Sequence, residues 1–421
     1  MESILFKNVL AVDGSREGVG DILIEYGEIK EMGRGLTVSA DRVIDGMNGR
    51  LAVMPGLFDM HVHFRDPGQT HKEDILTGCS AALAGGVTGV ACMPNTNPPI
   101  DNADTIKYIA NKAKITGVNV YPVACITQRM EGLRLYDWTS LGVKMISDDG
   151  KPVRDAELMR KALEHSVSNG LLVASHCEDL DIINGGIMNK GVISDRLGVP
   201  GMDRASEDSI TAREIELAEA CGARVHICHV STKGSVEIIR EAKKRGVKVT
   251  CETCPHYFTY TEEKLLSMDA DYRMNPPLRT EEDRAAIIEG ILDGTIDCIV
   301  TDHAPHAKNE KADFLKAPNG VVGLETSLAA TLTQLYHTGR LPLNKIVQLM
   351  AVNPRKILRI PVPAIEKGAQ ADLAVVDLEK EWTVDPQKLH SKSRNTVFKG
   401  ATLKGKNVMT ITKNRVRYDS I

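Results

Sequence analysis

The sequence predicts an α/β protein, a TIM-type (β/α)8 barrel beside a small β-sandwich formed by the two chain ends. Three observations carry that prediction. Eight short apolar runs rich in Val, Ile and Cys recur across the middle of the chain, and helix-like segments follow most of them. Both ends read instead as short strands punctuated by Gly, Asp and Asn. No G-x-G-x-x-G fingerprint follows the first apolar run, which argues against an open doubly wound sheet, the structural alternative.

Residues 3–55 contain ILFKNVLAVDG, DILIEYGEIKEMG and RVIDGMNGRLAVMPG, all strand-and-turn patterns. The stretch from about residue 370 repeats the style in ADLAVVDL, EWTVDP and TVFKGATLKGKNVMTITKNRVRY. Each end alone is too small for a good core, so the two are expected to fold together. Residues 1–54 and 366–421 are therefore assigned to the sandwich and 55–365 to the barrel. The barrel strands are placed at 56–64, 87–95, 119–127, 143–147, 171–176, 224–230, 248–254 and 298–303. Continuous apolar strands of this kind suit a parallel sheet buried on both faces. Helices are placed at 101–117, 154–170, 209–222 and 233–246, each ending in Gly, a common helix stop. Eight such units over roughly 300 residues fit a barrel whose typical length is about 250 residues before insertions.

The chain has 421 residues, with 52 Lys and Arg against 56 Asp and Glu, a formal net charge of −4. That balance leaves no basic footprint for a polyanion and argues against nucleic acid as a partner. The nine cysteines are odd in number and lie mostly inside apolar runs, which points to a reducing compartment rather than a disulfide framework. The opening MESILFKNVLAVDG has no sustained apolar segment, and no stretch approaches the roughly 18 apolar residues of a membrane span. A soluble, cytoplasmic protein with no membrane partner is expected.

The sharpest chemical signal is His61-Val62-His63 at the end of the first strand. Residues i and i+2 of a strand share a face, so both imidazoles can reach one ion. Alone, His-x-His is weak and describes core or surface histidines equally well. Its context is stronger: His176, His229 and Asp302 fall at the ends of strands five, six and eight, and Asp149 follows strand four. All six lie at C-terminal strand ends, the face on which barrel active sites are built. Imidazoles with carboxylates suit zinc or a similar divalent metal. Six ligands exceed the needs of one tetrahedral ion, whereas two ions sharing a carboxylate and a water use them all. Asp302 could then both ligate an ion and carry a proton to a leaving nitrogen. The CETC run (251–254) reads as a buried strand with small thiols, since no second C-x-x-C accompanies it. His256 and His165 read as a loop residue and a helix-surface residue.

A second signal is directed at anions. Arg65 lies two residues beyond His63, Asn95 ends strand two, Asn275 follows strand seven, and His306 follows Asp302 by four. An arginine fork beside a metal pair suits a substrate carboxylate held through two bonds. The plainer alternative for Arg65 is a salt bridge to Asp66 or Asp59.

These motifs resemble a known family. PGLFDMHVHFRDPG, MPNTNPP, SDDG, SHCED, CHVST, NPPLR, TDHAPH and GLETSLA, in this order over nearly the whole chain, are similar to the long, bacterial-type dihydroorotases of the amidohydrolase superfamily. The resemblance implies a zinc enzyme, with two Zn2+ per chain, that interconverts L-dihydroorotate and N-carbamoyl-L-aspartate in pyrimidine synthesis. It makes His61 and His63 ligands of one zinc, His176 and His229 ligands of the other, Asp149 the bridge, and Asp302 both ligand and catalytic base. His63, Arg65, Asn95, Asn275 and His306 would contact substrate, with the backbone near Asn319 and Gly320 closing the site. Many superfamily members bridge their metals through a carbamylated lysine, so Lys144 on strand four is a rival to Asp149. The Ser-Asp-Asp-Gly run resembles the class that uses aspartate. Asn319 stands where relatives usually carry an aromatic residue. The family suggests a homodimer and raises association with aspartate carbamoyltransferase, and no residue pattern in the chain derives either. Dihydropyrimidinase-, hydantoinase- or allantoinase-type hydrolysis of a neutral ring is the alternative within the architecture. A non-catalytic paralogue is the alternative outside it, although every candidate ligand is present.

Overall fold

The computed structural model describes residues 2–139 and 141–421. Its first strands are β1 (Ile4–Val12), β2 (Glu17–Glu25), β3 (Glu28–Gly33), β4 (Arg42–Asp45) and β5 (Leu51–Pro55). After the barrel the chain returns as β16 (Leu373–Thr383), β17 (Thr402–Thr412) and β18 (Arg415–Asp419). The two ends do fold together: β16 pairs antiparallel with β5 from Leu373 opposite Pro55 to Asp377 opposite Leu51. The small β domain is thus one continuous eight-stranded mixed sheet, in the order β18-β17-β16-β5-β1-β2-β3 with β4 beside β1.

Strand alternation decides what each face of that sheet covers. Leu51, Val53, Leu373 and Val375 point into a cluster with Ile4, Phe6, Ile22 and Ile24. Their neighbours Ala52, Met54, Ala374 and Val376 join the large core of the barrel and its helices instead. A segment buried on both faces reads as a continuous apolar run, as LAVMP and LAVV do.

The barrel strands are β6 (Leu57–Val62), β7 (Val87–Cys92), β8 (Asn119–Pro122), β9 (Met145–Ile146) and β10 (Leu172–Ser175). An insertion follows with the short parallel pair β11 (Met188–Asn189) and β12 (Gly201–Met202). The ring continues with β13 (Val225–Ile227), β14 (Val249–Thr253) and β15 (Cys298–Ile299). Neighbours along β6-β7-β8 and β9-β10-β13-β14-β15 pair in parallel. Single parallel bridges, Ala124 to Ile146 and Val62 to His303, close the two arcs into one ring. All eight expected strands are present, several much shorter than the apolar runs that announced them.

Several of the helices between strands begin on side-chain caps that satisfy their free N–H groups. Asp74 caps Ile75–Ala84, Asn102 caps Ala103–Ala113, Asp155 caps Ala156–Asn169, Thr232 caps Lys233–Lys244 and Thr280 caps Glu281–Leu292. Gly170 and Gly222 stop their helices at φ 66° and 63°, a left-handed turn that a side chain disfavours. The helix expected from residue 209 starts earlier, at Ala205. No helix among the described residues is long and apolar enough to cross a membrane.

Candidate metal centre and substrate pocket

Period-2 geometry puts His61 at the end of β6 and His63 just beyond it, both facing the barrel mouth. Asp149 follows β9, His176 follows β10, His229 lies two residues past β13, and Asp302 lies past β15. All six are buried. They form two ligand groups, His61 with His63 and Asp302, and His176 with His229 and Asp149. Asp149 also links them. Its Oδ1 lies 3.4 Å from His61 Nε2, 3.6 Å from His176 Nδ1 and 3.7 Å from His229 Nε2. Its Oδ2 lies 3.5 Å from His63 Nε2. Asp302 Oδ1 is 3.0 Å from His63 Nε2 and 3.6 Å from His61 Nε2.

These separations fit cations. Two donors bound to one zinc at about 2.0–2.1 Å in tetrahedral geometry lie about 3.3–3.4 Å apart. Most of the separations are too long for good hydrogen bonds. Among the described residues, His61 Nε2 and Asp149 Oδ1 at the centre are buried with no hydrogen-bond partner, as is His229 Nδ1 on the outer side of its ring. An unpaired buried polar atom costs about 1–3 kcal/mol, so a mouth with several of them is built for something more.

The outer nitrogens fix which ring atoms face inward. His61 Nδ1–H donates to Glu252 Oε1 at 2.6 Å, and His63 Nδ1–H donates to Asn95 Oδ1 at 2.7 Å. His176 Nε2–H donates to Glu178 Oε2 at 3.0 Å. Each bond leaves the opposite nitrogen as a lone pair at the centre, the arrangement that orients metal-ligating histidines. Burial would raise the Asp149 carboxyl, but the surrounding imidazoles, His61 first and then His176 and His229, hold it well below the usual range. Asp302 is likewise held low against burial, chiefly by His63 and His61. Positive charge near these carboxylates comes from the imidazoles, which would take up protons unless a metal supplies the charge.

Three of the mouth residues sit in the left-handed backbone region: Arg65 at φ 59°, His229 at 35° and Asp302 at 46°. Such conformations disfavour side chains and concentrate at functional sites.

Lys144 lies away from the centre. It is exposed at the opposite end of β9, where its carbonyl receives Leu172 N–H, and Asp149 occupies the position among the imidazoles. Asp148 instead accepts from the backbone of Ile126 and Thr127. CETC behaves as a buried strand: Cys251 and Cys254 are free and buried, and burial pushes the Cys251 thiol up to about 12. Between them, however, Glu252 is the partner of His61, a role the sequence reading missed. His256 also needs correction. It is no loop residue but lies in the short helix Pro255–Thr259, buried. His165 is exposed on its helix, as expected.

The anion-directed residues gather around the same mouth. Arg65 is only 8% exposed and makes no salt bridge among the described residues. Asp66 binds Lys112 at 2.6 Å instead, and Asp59 accepts from Thr301 N–H at 3.1 Å. Arg65 Nε–H donates to Pro305 O at 3.2 Å, and its Nη2 lies 3.4 Å from His306 Nε2. His306 Nε2–H donates to Asn319 O at 2.9 Å, while Lys72 Nζ approaches Nδ1 at 3.4 Å. Burial, with Arg65, Lys72 and Lys311 nearby, keeps His306 neutral. Asn275 Nδ2–H donates to Glu178 Oε1 at 2.8 Å, beside His176. Asn319 Oδ1 is buried and unpaired, and Gly320 has φ 138° with Ala304 and His306 too near for a Cβ.

Comparison with known proteins identifies the family and the fold. Residues 52–416 match the Amidohydrolase family. A dihydroorotase of Trichlorobacter lovleyi is 48% identical over 421 residues, covering 98% of this chain and 99% of that protein. A dihydroorotase of Acetivibrio thermocellus is 48% identical over 404 residues, covering 95% and 94%. Among solved structures, the L-hydantoinase (dihydropyrimidinase) of Arthrobacter aurescens superposes with a TM-score of 0.87 at 25% identity, covering 100% of this chain and 96% of that one. The dihydropyrimidinase of Brevibacillus agri gives 0.85 at 22% identity, covering 99% and 95%, and supports the fold. With a barrel closed by the Val62–His303 bridge, a four-imidazole, two-carboxylate mouth and full-length identity of this order, the chain belongs to the amidohydrolase family and, within it, to the dihydroorotases.

Proposed function

We propose that the protein hydrolyses the ring amide of L-dihydroorotate reversibly to N-carbamoyl-L-aspartate, the dihydroorotase step of pyrimidine synthesis, using two zinc ions per chain. The observation that carries the substrate is Arg65. A buried guanidinium with no carboxylate partner among the described residues, beside the candidate metal centre, is matched to an anionic ring.

His61, His63 and Asp302 would hold one ion and His176 and His229 the other, with Asp149 between them. Bound there, the divalent pair supplies Lewis-acid activation of water and of the scissile carbonyl. The chain supplies the rest. Arg65 grips the substrate carboxylate through its fork, and Asn95 and Asn275, fixed against His63 and Glu178, present amides to the ring. His306, neutral and tied to Asn319, packs against Arg65 and orients it. Asp302, held ionised, accepts the proton of the attacking water at a carboxylate oxygen and delivers it to the ring nitrogen as the C–N bond breaks.

Residues 1–54 and 366–421 serve in this reading as the framework of a barrel spanning 55–365. Nine free cysteines, eight of them buried, support a reducing cytoplasm. A homodimer and association with aspartate carbamoyltransferase belong to the same proposal, and sizing the protein with and without that partner tests both.

The second reading is hydrolysis of a neutral ring, favoured by the likeness to the Arthrobacter L-hydantoinase. Assaying dihydroorotate, dihydrouracil, hydantoin and allantoin side by side, with metal content measured on the same sample, separates them. Preference for dihydroorotate is expected, and preference for a neutral ring would refute the role given to Arg65.

A further inference from the structure

The loop 304–320 carries His306, Asn319 and Gly320 but has no regular structure of its own beyond isolated turns. What holds it comes from the other end of the chain. Asn395, 4% exposed, lies in the segment 391–395 between β16 and β17. Its Oδ1 accepts from His306 N–H at 3.2 Å, and its Nδ2–H donates to Gly320 O at 3.0 Å. Its backbone carbonyl accepts from Val322 N–H at 2.9 Å. One side chain therefore spans both ends of the loop.

The rest of the segment grips the opposite lip. Ser393 Oγ–H donates to Lys72 O at 2.6 Å, and Lys72 is the residue whose amine approaches His306. Ser391 Oγ–H and Lys392 N–H donate to Glu73, whose Oε2 lies 3.4 Å from His303, the neighbour of Asp302. Lys311, buried, adds a second tie by donating to Arg273 O, Pro318 O and Gly320 O at 3.1, 2.9 and 3.1 Å.

We infer that the segment 391–395 is a strap from the β domain and that Asn395 is a positioning residue for substrate, setting the spacing between His306 and Gly320. The inference rests on the substrate reading above. Amide groups that pair with both ends of an irregular loop remove its freedom to open, and small displacements of substrate-contacting groups weaken binding before they affect the bond-breaking step. An Asn395→Ala substitution leaves His306 N–H buried and unpaired and leaves Gly320 O with Lys311 as its remaining donor. Asn395→Asp keeps the acceptor for His306 but loses the donor to Gly320.

The test uses the metal-loaded protein and both variants. Amide hydrogen exchange is followed in peptides covering 304–322 and in the helix 233–244, together with metal content and steady-state kinetics on dihydroorotate. In Asn395→Ala, exchange should quicken at least about tenfold in 304–322 and stay unchanged in 233–244. Metal content should hold, with KM about tenfold higher and kcat within about threefold of the parent. Asn395→Asp should fall between, and serves alone if the alanine variant does not fold. Unchanged exchange in 304–322 would overturn the strap. Faster exchange with parental KM, or equal losses in kcat and metal, would overturn the positioning role. A parent protein inactive on dihydroorotate would instead defeat the substrate reading, leaving the exchange result to decide the strap.

Discussion

Glu252 stands directly behind His61: Oε1 is 2.6 Å from Nδ1, and both side chains are fully buried. His226 Nε2 lies 3.1 Å from the other Glu252 oxygen. The carboxylate thus fixes the tautomer of His61 and raises the basicity of the nitrogen facing the centre. Replacing it with Gln keeps the shape and removes the charge. Glu252→Gln should bind metal about 10–100-fold more weakly, read as metal retained after graded chelator dialysis. Retention equal to the parent would show that Glu252 is mere filling.

In the proposed reading Arg65 sets the preference for an anionic substrate. Arg65→Met should lower kcat/KM for dihydroorotate about 100-fold, equivalent to about 3 kcal/mol, the upper range for a bond to a charged group. Metal content should not change. Arg65→Lys should recover only part, because an ammonium lacks the planar fork.

Asp149 and Lys144 separate cleanly. Asp149→Asn should lose metal and turnover together, since Asp149 faces all four imidazoles. Lys144→Gln should stay within about twofold of the parent, as exposed substitutions away from such features have small effects. Loss of metal in Lys144→Gln would revive the carbamylated-lysine bridge.

His256 carries a pH signature. Burial, opposed by Asp302 and aided by His229, lowers its pKa to about 4. The unfolded chain, near 6.5, therefore takes up the proton first as pH falls. Its contribution to stability is complete above about pH 6.5 and is lost on descending to about pH 4, a total of about 3 kcal/mol. His256→Phe removes that titration. Urea unfolding at pH 7 and pH 4.5 should show a smaller stability loss in the variant, by about 2–3 kcal/mol. Equal losses would contradict a buried neutral imidazole.

The strand ends that build the centre were readable because local pattern reports them. His61 and His63 obey the two-residue period of a strand, and each remaining candidate ligand follows an apolar run. The pairing of the chain ends followed from two incomplete β patterns. Strand length was less readable, because β9 and β15 keep only two residues each and single bridges close the ring. Glu252 was hidden by its flanking cysteines, which made CETC look like plain core. Its role appears only when β14 is set beside β6 across the barrel. Asn395 gave no signal, because the groups it ties lie some 75 to 89 residues away in sequence. His256 was misplaced because a five-residue helix leaves too little periodicity to separate it from a loop.

The central claim is a pair of cations shared by Asp149 and the four imidazoles. An anomalous-difference map from crystals of the protein, recorded at the zinc absorption edge, tests it most directly. Two peaks about 3.5–4 Å apart, one beside His61, His63 and Asp302 and one beside His176 and His229, are the predicted result. A single peak, or peaks remote from Asp149 in protein that turns over substrate, would contradict it.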